Sequence, residues 1–327
     1  MLLSIRKLRV GVHGPQGTHE LVRDVSLDIA PGEIVGLVGE SGSGKSLTAL
    51  SVPRLLPSGI RILGGEVLLN GKDLITMPDR ALHRLRGKEI GFIFQDPLTA
   101  LAPVLTIGTQ LLDVVRAHFD VSKSEAHQRA LNALRSVGIP MPERCMKAYP
   151  HQLSGGMRQR TLIAMVILGG PKLILADEPT TALDVTVQAR IIRLLRSIQE
   201  SAHASILFIS HNLDLVAEFC DRVVVLYGGR IMEQGSSAQI VGAPRHPYTQ
   251  ALMQCIPRLD GKLGPLRVIP GQPPHNPGLI RGCPFADRCE RKVEACGAAY
   301  PDSTRHESGH TYHCFNPIPV GLDRHGG

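Results

Sequence analysis

The sequence predicts an α/β fold in which helices cover a largely parallel β-sheet. Three short apolar runs, at 34–38, 173–176 and 206–209, lack polar alternation, which is typical of strands buried on both faces. An amphipathic helical stripe lies between the last two runs, at Val187, Ile191, Leu194, Leu195 and Ile198. Buried strands that alternate with helical patterns indicate parallel strands joined by helices.

Two further elements can be placed from local signals. Ser122 and Glu125 form a capping-box pattern ahead of a helical stretch that should stop at Gly138. The apolar run 223–226 leads into Tyr227-Gly228-Gly229-Arg230, which predicts a strand entering a tight hairpin. We therefore expect an antiparallel β appendage beside the parallel strands.

A shift in composition divides the chain near Gly235. Of the 24 prolines in the 327 residues, 12 lie in 236–327, together with five of the seven cysteines, and the last four of these are crowded towards the C-terminus. The sequence shows no internal repeat. We predict one α/β domain over 1–235 and a Pro-rich extension with a four-cysteine site over 236–327.

Charge and hydropathy set limits on partners and location. The net charge of +7 is spread along the chain without a basic run, so no nucleic-acid partner is expected. No uninterrupted apolar stretch is long enough to span a membrane, and glycines and His13 occupy the place of a signal-peptide core. We expect a chain that neither spans the membrane nor is exported.

A phosphate-binding loop is the strongest motif in the sequence. It matches the pattern G-x-x-x-x-G-K-[ST] and follows an apolar strand directly, at Gly39, Glu40, Ser41, Gly42, Ser43, Gly44, Lys45 and Ser46. Its glycines allow backbone N–H groups to surround phosphate oxygens, and the following helix adds its N-terminal partial charge. Lys45 should contact the β- and γ-phosphates, and the Ser46 hydroxyl should bind Mg²⁺.

Two adjacent carboxylates complete the predicted phosphate site. Asp177 and Glu178 end the apolar run 173–176, where buried carboxylates are unfavourable unless they face a cation. We expect Asp177 to hold Mg²⁺ and Glu178 to orient and deprotonate an attacking water.

A signature element ties these motifs to a known family. It is followed by an Ala-Leu-Asp segment and a histidine, and the residues are Leu153, Ser154, Gly155, Gly156, Met157, then Ala182, Leu183, Asp184, then His211. With the phosphate loop and Asp177-Glu178, the order resembles the nucleotide-binding subunit of ATP-binding-cassette (ABC) transporters over about 1–235. The resemblance implies an ABC-type P-loop NTPase fold, a helical subdomain at about 95–170, and ATP hydrolysis with Mg²⁺.

The resemblance also implies a two-chain site. The signature element would cap ATP bound by a second ATPase subunit, Asp184 would bridge the two subunits, and His211 would contact the γ-phosphate. Gln95 would sense Mg²⁺ and contact a membrane subunit. The family usually stacks adenine on an aromatic ring in the first strand, where this chain has no Tyr or Phe, and His13 is the candidate substitute.

A finer resemblance points to importers. The segments Phe94-Gln95-Asp96-Pro97, Met157-Arg158-Gln159-Arg160 and Arg245-His246-Pro247-Tyr248-Thr249 resemble ATPase subunits of bacterial dipeptide, oligopeptide and nickel importers. Such a subunit would be peripheral on the cytoplasmic face of the inner membrane. Its partners would be a paralogous ATPase, two transmembrane permeases and a solute-binding protein. The alternatives are a nickel or other small-solute importer, and a cassette ATPase outside transport.

The cysteines of the extension form a candidate metal site. Cys283, Cys289, Cys296 and Cys314 are separated by five, six and seventeen residues. Four thiolates in a Pro/Gly-rich loop suit a [4Fe–4S] cluster or a structural Zn²⁺. The lack of a C-x₂-C pair, and the cluster associated with the matching tail in peptide-importer ATPases, favour [4Fe–4S] over zinc. The remaining alternative is four unligated cysteines in a small satellite core.

Overall fold

A computed structural model describes residues 1–14, 17–181, 183–255, 268–274, 276–306 and 308–319. The strands in chain order are β1 (Leu3–Gly14), β2 (Gly17–Ile29), β3 (Ile34–Val38), β4 (Ile60–Leu69), β5 (Lys72–Asp73), β6 (Ile90–Ile93), β7 (Leu173–Asp177), β8 (Ser205–Ile209), β9 (Arg222–Tyr227), β10 (Arg230–Ser236), β11 (Thr304–Arg305) and β12 (Thr311–Tyr312). The helices are α1 (Lys45–Ser51), α2 (Asp79–Leu85), α3 (Pro97–Ala100), α4 (Ile107–His118), α5 (Lys123–Ser136), α6 (Pro142–Lys147), α7 (Gly155–Leu168), α8 (Val185–Ala202), α9 (Leu213–Phe219), α10 (Ser237–Gly242), α11 (Pro247–Gln254) and α12 (Ala295–Ala298).

The predicted parallel strands form the centre of a mixed sheet. Its order in the described residues is β11-β12-β10-β9-β3-β8-β7-β6, and β9, β3, β8, β7 and β6 run parallel. β3 has the predicted bounds, while β7 and β8 are each one residue longer. Every residue in these three strands is buried. The prediction of a helix-covered parallel sheet is therefore confirmed.

The two faces of this sheet contribute to two different cores. Ile34 and Val38 pack with residues of the helices, whereas Val35 and Leu37 pack with β1, β2 and β4. Since successive side chains of a strand point to opposite faces, one short strand supports both cores. This double burial explains why its sequence is apolar throughout.

Local signals in α5 and in the β9–β10 hairpin are largely confirmed. Gly228 and Gly229 have φ of 53° and 77°, the left-handed values that a tight two-residue hairpin needs. The Ser122 hydroxyl accepts a hydrogen bond from the Glu125 N–H at 3.2 Å. The reciprocal half of the predicted capping box is wrong, because the Glu125 carboxylate pairs with Arg129 at 2.8 Å instead. Gly138, at φ 73°, follows the helix as predicted.

The structure has a second, antiparallel sheet that the sequence did not predict. Its order is β2-β1-β4-β5, and it covers the face of the mixed sheet that carries Val35 and Leu37. The predicted appendage corresponds to the β9–β10 hairpin, which lies within the mixed sheet.

Helices α3 to α7 lie between β6 and β7 in the chain and pack against one another around a shared core. The signature element forms the start of α7, whose N-cap is Ser154. No helix among the described residues is long and apolar enough to cross a membrane.

The C-terminal segment joins the mixed sheet instead of hanging free. β12 pairs with β10 through Glu233 and Gln234, so a strand of the extension adds to the edge of the mixed sheet. Arg23 of β2 donates to the carbonyl oxygens of Pro277 and Ile280, each at 2.7 Å. These contacts hold the extension beside the start of α1.

Candidate functional site

The phosphate loop connects β3 to α1 and has the conformation that its glycines permit. Gly39, Gly42 and Gly44 have φ of 148°, 77° and 100°, values that other residues rarely adopt. A Cβ on Gly39 would lie 2.1 Å from the Leu226 carbonyl oxygen, so a side chain there would force the loop away from β9. The loop therefore depends on glycine for both its turn and its packing.

Lys45 lies inside the hollow that the loop encloses. It is 5% exposed, and its Nζ donates to the carbonyl oxygens of Gly39 at 2.8 Å and Glu40 at 2.9 Å. Burial lowers the pKa of Lys45, and the acidic side chains of Glu178, Asp177 and Glu40 oppose that shift. A buried ammonium held this close to the loop is placed to meet a phosphate group.

Ser46 and Asp177 form the part of the site that suits Mg²⁺. The Ser46 hydroxyl donates to Asp177 Oδ1 at 3.0 Å, which joins the start of α1 to the end of β7. Burial raises the pKa of Asp177, Glu178 adds to the rise, and the Ser46 hydrogen bond opposes it. A hydroxyl and a buried carboxylate are hard oxygen donors, so the pair fits a magnesium ion bound with phosphate oxygens.

Three side chains converge on one carboxylate oxygen of Glu178. Oε2 accepts from Gln95 Nε2 at 3.1 Å and from Thr181 Oγ1 at 2.9 Å, and His211 Nδ1 lies 3.4 Å away. Glu178 has a φ of 45°, and its N–H donates to the Ile209 carbonyl oxygen at 3.0 Å. The structure thus brings together all three residues predicted for catalysis, and the carboxylate is held in one orientation beside the phosphate loop.

Thr181 belongs to this group and was not identified from the sequence. It lies in the turn after Glu178, where its N–H also donates to the Glu178 carbonyl oxygen at 3.2 Å. The available signal was its position three residues after a candidate base, a spacing at which a hydroxyl can reach back across a turn.

The signature element and the segment after Glu178 lie on one exposed edge. Ser154 caps α7 by accepting from the Met157 N–H at 3.3 Å, while Leu153 is buried beneath it. A Cβ on Gly156 would lie 2.9 Å from Val187 Cγ1, which places the start of α7 against α8.

Asp184 caps α8 by accepting from the Val187 N–H at 2.9 Å. Leu183 lies beside Gly155, since a Cβ on Gly155 would approach its Cδ2 to 3.9 Å. Ala182, the third residue predicted for this segment, lies outside the described residues.

His13 is placed at the tip of the β1–β2 hairpin. It pairs with Thr18 in the ladder, and its Nδ1 lies 2.7 Å from Thr18 Oγ1. The same hairpin passes over the phosphate loop further along, because Gly44 packs against Leu21 and Val22. A role of His13 in adenine binding stays a prediction.

The four cysteines of the extension are brought into one neighbourhood. All are free thiols, and Cys283 and Cys296 are buried. Burial raises the pKa of Cys283 to about 12, and the other three thiols add to the rise. Burial also raises the pKa of Cys314 to about 11, with Cys289 and Cys296 contributing.

The thiols are nevertheless not arranged as a metal-binding group in the described residues. Among the described residues no group of three or more His, Cys, Asp or Glu side chains is arranged to hold a metal ion.

Comparison with known proteins places this geometry in a family. The ABC transporter family model matches residues 22–181, and a model described as the oligopeptide/dipeptide transporter C-terminal region matches residues 232–296. The chain is 43% identical over 317 residues to the oligopeptide transport ATP-binding protein OppD of Escherichia coli (strain K12), covering 97% of this chain and 94% of that protein. The chain belongs to the ABC transporter family. It is an ABC ATPase, and members of this family use Mg²⁺ with ATP.

Further relatives agree with the ABC assignment. The dipeptide transport ATP-binding protein DppD of Bacillus subtilis (strain 168) is 44% identical over 96% of this chain and 94% of its own length. A dimeric post-hydrolysis structure of the ATP-binding cassette MJ0796 bound to ADP and Pi aligns with a TM-score of 0.65 at 28% identity. That alignment covers 72% of this chain and 98% of the cassette. The ABC P-loop NTPase fold implied by the sequence is confirmed.

Proposed function

We propose that this ABC ATPase powers the import of peptides across the bacterial inner membrane from its cytoplasmic face. The observation that carries the proposal is the similarity to OppD and DppD, which spans their C-terminal region as well as the cassette. A nickel or other small-solute importer of the same family is the alternative, since solute choice resides in other subunits. A cassette ATPase outside transport is disfavoured by the peptide-transporter C-terminal region.

The site geometry supports a defined division of roles in hydrolysis. Lys45 and the loop N–H groups would bind the β- and γ-phosphates, and His211 would contact the γ-phosphate. Ser46, Asp177 and Gln95 would hold Mg²⁺, which neutralises phosphate charge when it is bound. Glu178 would accept a proton from the attacking water while the water oxygen bonds to the γ-phosphorus. ADP would leave with the electrons of the broken P–O bond.

A second subunit completes the site in this proposal. Ser154 and Gly155 are exposed at the N-terminus of α7, where backbone N–H groups and the helix dipole favour an anion. We propose a head-to-tail dimer with a paralogous ATPase, docked on two transmembrane permeases that receive solute from a binding protein.

The transport assignment is tested by coupling ATP hydrolysis to a solute. The chain is purified with its membrane subunits, reconstituted in lipid vesicles and assayed for phosphate release with its solute-binding protein. Peptides are expected to raise the ATPase rate severalfold, because a loaded binding protein favours the closed ATPase dimer. A rise with Ni²⁺ and none with peptides would favour the alternative solute, and failure to purify with any membrane protein would contradict a transport role.

We also propose that residues 1–235 act as the ATPase domain and that 236–327 form a structural extension around a [4Fe–4S] cluster. Cys283, Cys289, Cys296 and Cys314 would ligate it. The supporting features are that all four thiols are free and that two of them are buried. A structural Zn²⁺ held by the same four thiolates is the alternative.

Anaerobic purification tests this site directly. Iron and acid-labile sulfide should each approach about four per chain, with a visible thiolate-to-iron absorption band. Cys283→Ser should lose most of both, because it removes one of the two buried candidate ligands, whereas Cys145→Ser, outside the extension, should retain them. Zinc without iron in the native protein, or iron retained in Cys283→Ser, would contradict the cluster.

A further inference from the structure

Arg288 joins the C-terminal extension to the phosphate loop. Its NH1 donates to Glu40 Oε2 at 2.6 Å, and its NH2 donates to Glu40 Oε1 at 3.1 Å. These two contacts form a bidentate guanidinium–carboxylate pair between residues 248 positions apart. Glu40 is the first variable residue of the phosphate loop, so the pair acts on the loop itself.

The remaining donors of Arg288 are also used. NH1 donates to the Tyr227 hydroxyl at 2.9 Å, NH2 to the Ile269 carbonyl oxygen at 3.1 Å, and Nε to the Pro270 carbonyl oxygen at 2.7 Å. A guanidinium has five N–H donors, and all five are satisfied here. The side chain is only 8% exposed, so its direction is fixed by both hydrogen bonding and packing.

The backbone N–H, the backbone carbonyl and the carboxylate of Glu40 each have a hydrogen-bond partner. Its N–H donates to the Tyr248 hydroxyl at 2.9 Å, and its carbonyl oxygen accepts from Lys45 Nζ at 2.9 Å. The Tyr248 ring packs on Tyr227 and on Phe285 of the extension, with ring centroids 4.6 Å and 5.1 Å apart. The packing of these three aromatic rings therefore supports the contact between Arg288 and Glu40.

We propose that Arg288 is a positioning residue for ATP, acting through Glu40 to fix the phosphate loop in its binding conformation. A glycine-rich loop has many accessible conformations, and ordering it upon binding would weaken affinity. Fixing Glu40 before the nucleotide arrives removes part of that entropic penalty. The extension is then part of the ATP site, although it contributes no atom to the phosphates.

The test measures affinity of the full-length chain for a fluorescent methylanthraniloyl ATP with Mg²⁺. Arg288→Gln should weaken binding about fivefold to tenfold, because the loop loses a charge-assisted bidentate contact. In the assembled complex its KM for ATP should rise by a similar factor with kcat little changed. Arg288→Lys should recover part of the affinity, since it keeps the charge but loses the bidentate geometry.

The matched control is Arg291→Gln in the same segment. Arg291 donates to Asn316 and Pro317, which belong to the extension, and does not reach the loop. Its variant should bind ATP as the native chain does. If Arg291→Gln weakens binding as much as Arg288→Gln, the effect is a general loosening of the extension and the inference is overturned.

A double-mutant cycle gives a second, independent reading. If Arg288 acts through Glu40, the pair Glu40→Gln with Arg288→Gln should bind no more weakly than either single variant. Glu40→Gln also serves where Arg288→Gln fails to fold, and native affinity in that variant would overturn the inference. The inference rests on the proposed ATP site: a native chain that binds no ATP refutes both, whereas native binding with unchanged variants refutes this inference alone.

Discussion

Glu178→Gln is expected to retain ATP binding and to lower turnover by about 10²- to 10⁴-fold. The amide removes the proton acceptor but keeps the size and shape of the side chain. Its oxygen can still accept from Thr181 and Gln95, the two donors that hold the native carboxylate. Binding is measured by nucleotide titration, and turnover by steady-state phosphate release from the assembled complex.

Glu89→Gln is the control for the Glu178 substitution. It makes the same chemical change at a carboxylate that pairs with Lys172 at 3.2 Å, at the opposite end of β7. Its turnover should match that of the native protein. If Glu178→Gln keeps more than about a tenth of native turnover, Glu178 is not the base, and a loss of ATP binding would point to damage in the phosphate loop.

The phosphate loop could be predicted because its chemistry is contiguous. Eight neighbouring residues carry the turn, the cation and the metal ligand, so their spacing alone specifies the local structure. The carboxylates at the end of β7 could be predicted for a related reason. A fully apolar strand followed by Asp177 and Glu178 must place both carboxylates at the same edge of the sheet. The contact between Ser46 and Asp177 follows once β3, which leads into the phosphate loop, and β7 lie in the same sheet.

The antiparallel sheet could not be predicted from the sequence because its strands pair with irregular registers. In β1, Leu3 and Ile5 occupy one phase of the alternation, while Leu8 and Val10 occupy the other. A register shift between Ile5 and Leu8, with Lys7 at φ 44°, brings both pairs into the same core. A bulge of this kind inserts a residue and breaks the period-two signal on which strand prediction depends.

Contacts between distant parts of the chain also could not be predicted from the sequence. Nothing near Arg288 indicates that its partner is Glu40, because the pairing arises only when the extension folds against β9 and the loop. The composition shift near Gly235 suggested a separate unit, yet β12 pairs with β10 across that point. Composition records where the chain becomes rich in proline, and it carries no information on what the resulting loops cover.

Glu233→Ala is expected to destabilise the protein by about 3 to 5 kcal/mol, because two backbone N–H groups and His310 would each lose a hydrogen-bond partner at about 1 to 3 kcal/mol. Glu233 lies in β10 and is fully buried. Its carboxylate accepts from the Arg245 N–H at 2.6 Å and the His246 N–H at 2.9 Å, and His310 Nε2 lies 2.7 Å away. Alanine would leave these buried groups without their acceptor, and each would then keep its desolvation penalty.

The loss of stability in Glu233→Ala should exceed that from removing a buried carboxylate whose partners all lie in one element. Glu233 joins β10 to the segment before α11 and to the turn before β12, so its removal weakens the attachment of the extension to the sheet. Chemical denaturation gives the free energy of unfolding, and Glu66→Ala, at an exposed position of β4, should change it by less than about 0.5 kcal/mol. Equal stabilities for the two variants would show that water replaces the carboxylate and that β10 and β12 stay paired without it.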